Sequence, residues 1–480
     1  MTDSLVRSSG SGRAGDAARP AASAPRPSGV ARDSSVDAIR ALLLVVVFAL
    51  HAMMVGVSVG PDGPVLQNAL EDQAWFGPVT WVLQIMPLFF IAGGFSSFHH
   101  WRSMRGRGAS DGDYIRARVE RLVRPAIALV AVVGGTLVAL SLSGLAPELV
   151  ATAGFRIGQP LWFLGVYLAT SALVPLMVRA HERARTLTPI ALLGGGVAVD
   201  ALRLSTGIEG IGFLNLLLVW LLVQQLGFHL ADGGLDRLGR TALVGIAAAS
   251  LGALALLTAS GLYSVDMYVN LNPPTVCLVL LGIAQLALFQ LARPAIRAWV
   301  ERADASRLVS AVGERAMTVY LWHMPVLVGL AGALLVANAT FGLALPEPLS
   351  VDWWASRPMW LSVAAAVVVP VTLLFSRFER ARRASGTASV PGGASVAASF
   401  RRPIPSTPFT AIDAVCGVAG VAVVLVTGFG PLQAVIALSL LTIALLGSAR
   451  LNRMRGRALR DLATGAAAGA RSRWSAAATR

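Results

Sequence analysis

Long apolar runs follow one another along almost the whole chain, and they constrain its fold more than any other feature. About 20 residues of α-helix span the ~30 Å hydrocarbon core of a bilayer. Runs of that length are centred near Val47, Phe89, Val132, Ala169, Gly195, Val219, Ser250, Gly282, Val328, Val367, Val421 and Leu440. Because backbone polar groups find no water inside a bilayer, each run must form a helix. The sequence therefore predicts an all-α, polytopic transmembrane bundle of about twelve helices.

Composition supports the membrane class and argues against a nucleic-acid-binding protein. Charged residues make up 14% of the 480 residues, against roughly 25% in soluble globular proteins. The formal net charge is +15, and the basic residues are all arginine. They cluster in short breaks between apolar runs, which is typical of loops that face anionic lipid headgroups. We therefore expect membrane lipids, and no nucleic acid, as partners.

The arginines alternate between loops, and this alternation predicts the orientation. Residues 99–124 are rich in arginine, whereas the preceding loop, residues 60–75, holds only acidic charges, and later loops repeat this contrast. By the positive-inside rule, the arginine-rich side is cytoplasmic. Both termini are then predicted to lie in the cytoplasm. We expect a multi-pass protein of the cell (plasma) membrane, and the arginine and alanine usage indicates a GC-rich bacterial genome.

Composition also divides the chain into parts. Residues 1–34 are predicted to be a disordered tail, and residues 450–480 a basic cytoplasmic tail. Residues 381–408, rich in Arg, Ser, Gly and Pro, are predicted to be a cytoplasmic linker. The linker joins a core of ten helices in residues 35–380 to two extra helices in residues 409–449. Cys277 and Cys416 lie in apolar runs, so we expect neither a disulfide framework nor structural zinc.

The first apolar run carries two ionisable residues, Arg40 and His51. They are eleven residues apart, which returns to nearly the same helix face about 16 Å along the axis. One stripe would then present a guanidinium near the membrane boundary and an imidazole near mid-membrane. Ionisable residues inside a membrane usually face a cavity or a partner. As alternatives, Arg40 could snorkel to the headgroups or pair with Asp37, and His51 could be a hydrogen-bonded structural residue.

Several short motifs follow that pair in order along the chain. They are VDAIRAL (residues 36–42), MPLFFIAGGF (86–95), RLVRP (121–125), LWFLGVYL (161–168), TVYLWHMPV (318–326) and FE (378–379). Together with the spacing of Arg40 and His51, this order resembles the acyltransferase-3 family of integral-membrane O-acyltransferases, over about residues 33–383. Two features depart from the family. Ala92-Gly93-Gly94 stands where it usually has Ser-Gly, and the last two helices have no counterpart in its ten-helix core.

The resemblance implies an enzyme that moves an acyl group, such as acetyl, from cytoplasmic acyl-CoA to a hydroxyl of a glycan, lipid or secondary metabolite. Acyl-CoA would be a co-substrate, and we expect no bound cofactor and no metal site. His51 would act as general base or as transient acyl carrier, since imidazole titrates near neutral pH. Arg40, the second predicted catalytic residue, would steer the pantetheine or phosphate of the donor toward His51.

Other residues are assigned with alternatives left open. Arg121 and Arg124, at i and i+3, could clamp donor phosphates, although positive-inside topology alone also explains them. His323 could line a donor tunnel, or the proline-containing YLWHMP could be a packed kink. Glu71 and Asp72 lie in the first external loop and could orient His51.

Two other classes of protein compete with the enzyme. A transporter would also have about twelve helices and buried ionisable groups, but transporters commonly show two related halves. No such repeat is visible in the sequence. A non-catalytic membrane scaffold would leave His51 dispensable. Acyl-CoA turnover that depends on His51 would distinguish the enzyme from both.

Overall fold

The computed structural model describes residues 33–61, 63–302, 304–379 and 408–447, and these residues are mostly helical. Almost all of the predicted tails and linker lie outside the described residues. The helices are α1 (Ser34–Met54), α2 (Phe76–Leu83), α3 (Met86–Gly106), α4 (Asp111–Leu142), α5 (Pro147–Gly158), α6 (Leu161–Arg183), α7 (Leu187–Thr206), α8 (Asn215–Ala231), α9 (Arg240–Ala259), α10 (Cys277–Arg302), α11 (Ser306–Glu314), α12 (Ala316–Phe341), α13 (Val351–Phe375), α14 (Pro408–Thr427) and α15 (Pro431–Gly447). The strands are β1 (Val55–Gly60) and β2 (Gly63–Asn68).

The predicted transmembrane helical class is confirmed. Among the described residues, 11 helical stretches are long and apolar enough to cross a membrane. They contain the predicted centres from Val47 to Val421, and the last centre, Leu440, lies in the shorter apolar helix α15. Two of the spans consist of two consecutive helices, α2 with α3 and α5 with α6. The chain is therefore a multi-pass membrane protein.

The bundle has two ends, which we name by what lies there. The amino-terminal face is the end at which α1 begins. The hairpin face is the opposite end, where α1 passes into β1. Consecutive spans alternate in direction, so the loops before α4, α7, α9 and α12 lie at the amino-terminal face. Ion pairs at this face join different helices, for example Arg179 of α6 with Asp111 of α4.

Asp33 fixes the start of α1 at the amino-terminal face. Its carboxylate accepts hydrogen bonds from the backbone N–H groups of Ser35 at 3.0 Å and Val36 at 3.4 Å, which is the usual chemistry of a helix N-cap. The same carboxylate accepts from Arg293 at 2.6 Å and Arg297 at 2.5 Å on α10. Burial alone would raise the pKa of Asp33, but these hydrogen bonds hold that pKa well below its usual range.

Residues 55–60 and 63–68 form an antiparallel β-hairpin that the sequence did not predict. Val55 pairs with Asn68, and the register continues to Gly60 opposite Gly63. The turn needs a glycine at Gly63, whose φ of 114° is disfavoured for side-chain-bearing residues. Val55 and Val57 are buried, and β1 packs against α12. The hairpin therefore covers the end of α1 that carries His51.

Helices α3 and α8 pack so closely that their backbones touch. A Cβ atom at Gly94 would collide with the carbonyl oxygen of Gln224, and one at Gly227 would collide with the carbonyl oxygen of Ile91. Small residues at such crossings are how membrane helices gain van der Waals contact, since no hydrophobic effect drives them together inside a bilayer. The Gly-Gly of the second-span motif is therefore explained by packing.

The two C-terminal helices belong to the same packed core as the rest. Helix α14 packs against α4 and α6, and Val421, Val424 and Phe429 are buried in the main hydrophobic cluster. The turn between α14 and α15 is held at α5, where Gly154 lies against the carbonyl of Phe429. The extra pair thus packs against α4 and α6.

Candidate active site

His51 on α1 and His323 on α12 meet in the interior of the bundle. Nδ1 of His51 lies 3.3 Å from Nε2 of His323, although 272 residues separate them along the chain. Their ring centroids are 5.0 Å apart. Helix α12 packs against α1, and this contact brings the two predicted site residues together. A pair so remote in sequence could not be predicted from spacing.

Backbone carbonyls fix the hydrogen positions on both rings. Nδ1 of His323 lies 2.6 Å from the carbonyl oxygen of Tyr320 and 3.3 Å from that of Val319, so Nδ1 carries a hydrogen and Nε2 is an acceptor. Nδ1 of His51 lies 2.9 Å from the carbonyl oxygen of Val47 and also faces the acceptor Nε2 of His323. Both partners require a hydrogen on Nδ1 of His51. Its Nε2 is left with a free lone pair that can take a proton.

A polar cavity opens beside His51. Its volume is about 40 Å³, and its lining comes from α1, the hairpin, α5 and α12. The polar lining residues besides His51 are Gln67, Asn68, Arg156 and Gln159. Within the described parts of the chain, the buried Nε of Arg156 has no hydrogen-bond partner. The cavity therefore offers hydrogen-bonding groups and one positive charge to a polar molecule next to a basic nitrogen.

Helix α13 holds the end of α1 that carries His51. The indole N–H of Trp360 donates to the carbonyl of Ala52 at 2.8 Å. The guanidinium of Arg357 donates to the carbonyl of Val55 at 3.4 Å and stacks on Trp353 with its carbon 4.2 Å from the ring centroid. These contacts satisfy carbonyls at the point where the helix gives way to the strand, so they fix the imidazole relative to the cavity.

Arg40, Arg118 and Arg121 gather at the amino-terminal face. The guanidinium groups of Arg40 and Arg118 lie within electrostatic range of Arg121. Arg121 is exposed and Arg40 is partly exposed. Neither of these two makes a hydrogen bond or a close ion pair with any described residue. Glu379 also lies within electrostatic range of Arg121, so three positive charges meet one negative charge here. A net positive charge attracts an anion, and this surface therefore suits a phosphorylated molecule.

The structure brings together a different arginine set from the predicted one. Arg124 forms an ion pair with Glu120 one turn earlier on α4, whereas Arg118, which the sequence did not single out, approaches Arg121. Arg118 donates to the hydroxyl of Tyr114 at 3.1 Å. The predicted alternative for Arg40 is not seen either, because no ion pair joins it to Asp37 in the described part of α1.

Glu71 and Asp72 lie apart from His51. Both are exposed in the turn after β2, and Asp72 has a φ of 59°. The ring partners of His51 among the described residues are the carbonyl of Val47 and the ring of His323. The structure therefore gives no contact for the predicted orienting carboxylates, and their role stays a prediction.

Glu379 fixes the start of α12, which carries His323. Its carboxylate accepts from the backbone N–H of Thr318 at 3.0 Å, from the Thr318 hydroxyl at 2.7 Å and from the N–H of Met317 at 3.3 Å. Burial raises the pKa of Glu379, and the hydrogen bonds from Thr318 oppose that rise. A carboxylate is favoured at a helix N-terminus because of the exposed N–H groups there. The FE motif marked this position, but sequence could not reveal its partner 61 residues away.

An apolar groove leads from the amino-terminal face toward the histidine pair. It lies between α1, α11, α12 and α13 and has a volume of about 420 Å³. Arg315 lines the groove near the start of α12, and Phe48 and Val319 line it within one turn of His51 and His323. Its lining is almost entirely apolar, which suits a hydrocarbon chain.

Comparison with known proteins agrees with this architecture. The acyltransferase-3 family model, described as an acyltransferase domain, matches residues 33–377. No curated protein and no solved structure matches the chain. The match covers α1 to α13, including both histidines and the three gathered arginines. The chain belongs to the acyltransferase-3 family, and it is a membrane acyltransferase. The predicted resemblance is confirmed.

Proposed function

We propose that the protein transfers an acyl group, such as acetyl, from cytoplasmic acyl-CoA to a hydroxyl of a glycan, lipid or secondary metabolite. The observation that carries the proposal is the contact between His51 and His323 beside a polar cavity, in a chain of the acyltransferase-3 family. One nitrogen of His51 has a free lone pair, and hydrogen-bonding side chains surround the space beside it. This is the arrangement that a hydroxyl acceptor needs.

His51 would act on the acceptor hydroxyl as a general base. Nε2 of His51 takes the hydroxyl proton as the oxygen attacks the thioester carbonyl carbon. The C–S bond then breaks, and the leaving thiolate of CoA receives a proton. In the alternative route, Nε2 attacks the thioester itself, and the acyl-imidazole then passes its acyl group to the hydroxyl. Both routes yield an ester and free CoA.

His323 would support His51 in either route as a positioning residue. When Nε2 of His51 gains a proton or an acyl group, the ring becomes positive. Its Nδ1–H is held by the Val47 carbonyl at 2.9 Å and faces the acceptor Nε2 of His323 at 3.3 Å. These acceptors favour the positive ring and fix its orientation, as a carboxylate does in hydrolase triads. We therefore assign to His323 the orienting role that the sequence suggested for Glu71 and Asp72.

The arginines at the amino-terminal face would bind the donor. Acyl-CoA carries several phosphate charges, and Arg40 and Arg118 lie within electrostatic range of Arg121, where three positive charges exceed the one negative charge of Glu379. Guanidinium groups bind phosphate by paired hydrogen bonds. The arginine-rich loops of the chain lie at this same face. By the positive-inside rule, this supports a plasma-membrane protein whose amino-terminal face lies on the cytoplasmic side.

Thioester turnover by the purified protein in lipid nanodiscs tests the proposal. We expect the wild type to release CoA from acetyl-CoA, with water taking the acyl group, and His51→Ala to release none above background, with His99→Ala as a matched control. His99 is a partly exposed histidine of α3 at the amino-terminal face. Equal turnover by wild type and His51→Ala would overturn the proposal. Movement of a solute without covalent product would favour the transporter instead.

A further inference from the structure

Two histidines and an aspartate form a second cluster, away from the cavity at His51. His181 lies in the last turn of α6, His229 in the last turn of α8, and Asp232 just after α8. One nitrogen or oxygen atom from each of the three residues lies within 4.8 Å of the others. We propose that His181, His229 and Asp232 bind a divalent metal ion of the zinc type at the amino-terminal face.

The hydrogen bonds of Gln225 prepare His181 to act as a ligand. The amide nitrogen of Gln225 donates to the carbonyl of Met177 at 3.1 Å, so its oxygen must be the atom that faces Nδ1 of His181 at 3.0 Å. Nδ1 of His181 therefore carries a hydrogen and donates it. Metal-binding histidines are usually oriented in this way, by a hydrogen bond from the ring nitrogen that does not bind the metal.

The other nitrogen of His181 faces a carboxylate. Its Nε2 lies 2.8 Å from Oδ2 of Asp232, and since Nδ1 already has a hydrogen, two lone-pair atoms meet there unless a cation lies between them. A proton or a metal ion satisfies this need. The imidazole of His229 favours a metal ion, because it supplies a third ligand atom close to the other two. Its ring centroid lies 4.7 Å from that of His181, and the two ring planes meet at 75°.

Hydrogen bonds orient the carboxylate of Asp232, as they commonly orient carboxylates that bind metal ions. Its Oδ1 accepts from Arg185 at 2.7 Å and from the backbone N–H of Gly234 at 3.0 Å. Oδ2 is thereby left to face His181. One oxygen is fixed by the protein and the other is available, which favours binding through a single oxygen.

The donor set indicates the class of metal. Two imidazole nitrogens and one carboxylate oxygen suit zinc and its neighbours, whereas calcium and magnesium prefer oxygen alone. Zinc–nitrogen bonds are about 2.0–2.1 Å long, so tetrahedral ligands lie about 3.3 Å apart, and small side-chain rotations reach that spacing. A bound ion would tie the end of α6 to the end of α8. The proposal departs from the sequence-based expectation of no metal site, because His181 and His229 lie on different helices.

Cobalt titration of tag-free, chelator-treated protein in detergent tests the metal site. Tetrahedral Co²⁺ gives visible absorption bands that octahedral Co²⁺ in water lacks. We expect the wild type and His100→Ala to develop these bands up to about one ion per chain, and added Zn²⁺ to remove them. His229→Ala should bind Co²⁺ at least about tenfold more weakly.

A thermal-unfolding measurement adds a second readout on the same samples. Zn²⁺ should raise the Tm of the wild type and of His100→Ala, and it should not raise that of His229→Ala, because a metal stabilises only the state that binds it. His229 is only half-buried, so this variant should fold. Absence of saturable binding by the wild type would overturn the proposal and leave a proton between His181 and Asp232. Equal binding by His229→Ala would overturn it as well.

Discussion

The molecule has two histidine pairs, and they differ in what holds the rings. His51 and His323 are held by backbone carbonyls and by each other, whereas His181 is held by a carboxamide and a carboxylate. A carbonyl fixes one hydrogen and leaves the other nitrogen free for proton transfer. A carboxylate opposite the second nitrogen instead calls for a bound cation. The same side chain thus suits acid–base chemistry in one place and metal binding in the other.

The surroundings of the two pairs strengthen that contrast. His51 lies beside a polar cavity and close to an apolar groove, both of which can admit substrates. His181 is 3% exposed and lies between the ends of two packed helices. The first pair therefore lies next to open space, whereas His181 of the second pair is enclosed by packed helices.

The largest expected effect tests whether His51 and His323 act as one unit. His51→Ala should lower acyl-CoA turnover by about 10³-fold or more, and His323→Ala by about 10–100-fold. The double variant should be no slower than His51→Ala, since residues that act as a unit have non-additive effects. Turnover rates of the four proteins, with KM for the donor unchanged, would check this. Additive losses would show that the two rings act independently.

A smaller effect concerns the donor surface at Arg121. Arg121→Ala should raise KM for acetyl-CoA by about tenfold, the usual range for a lost charge-assisted hydrogen bond, without lowering kcat. Acetyl-pantetheine lacks the nucleotide phosphates, so its turnover should be unaffected. Comparing the two donors gives the measurement, and Arg102→Ala is the matched control, because Arg102 lies at the same face and pairs loosely with Glu182 at 3.9 Å. An equal loss with both donors would place Arg121 outside phosphate binding.

A change of a few-fold in acceptor preference is expected when the charge that lines the cavity is removed. Arg156→Gln keeps hydrogen-bonding capacity but removes the one charge that lines the space beside His51. Arg156 lines the cavity and does not belong to the arginines assigned to the donor. The variant should therefore release CoA at the wild-type rate when no acceptor is added. The rate of acyl transfer to an anionic hydroxyl compound, divided by the rate to a neutral one, should be lower for the variant than for the wild type. An unchanged ratio would show that Arg156 does not contact the acceptor.

The smallest expected effect lies at the start of α1. Asp33→Asn preserves the helix cap, because asparagine caps as well as aspartate, but it removes the charge that binds Arg293 and Arg297. The cost in unfolding free energy should be about 1 kcal/mol at neutral pH. A carboxyl whose pKa is lowered on folding stabilises the fold above its unfolded pKa of about 4. The difference in Tm between wild type and variant should therefore shrink as the pH falls below that value.

Sequence could predict the spans and the first histidine because each is a local signal. An apolar run of helical length is recognisable without a fold, and a histidine inside one is conspicuous. Contacts between distant helices are not local, so the pairing of His51 with His323 and the cluster at Asp232 could not be predicted. Arg118 lies one turn before Arg121 on α4 and Arg124 lies one turn after it, so spacing alone could not choose between them. The hairpin was missed for another reason: the two six-residue strands lie in a segment predicted only as a loop between spans.

The central claim is that His51 performs chemistry and does not merely bind the donor. The most direct measurement pairs acetyl-CoA affinity with single-turnover release of CoA in nanodiscs, for wild type and His51→Ala. We expect His51→Ala to bind acetyl-CoA as tightly as the wild type and to release no CoA above background. Release of CoA by His51→Ala at the wild-type rate would contradict it.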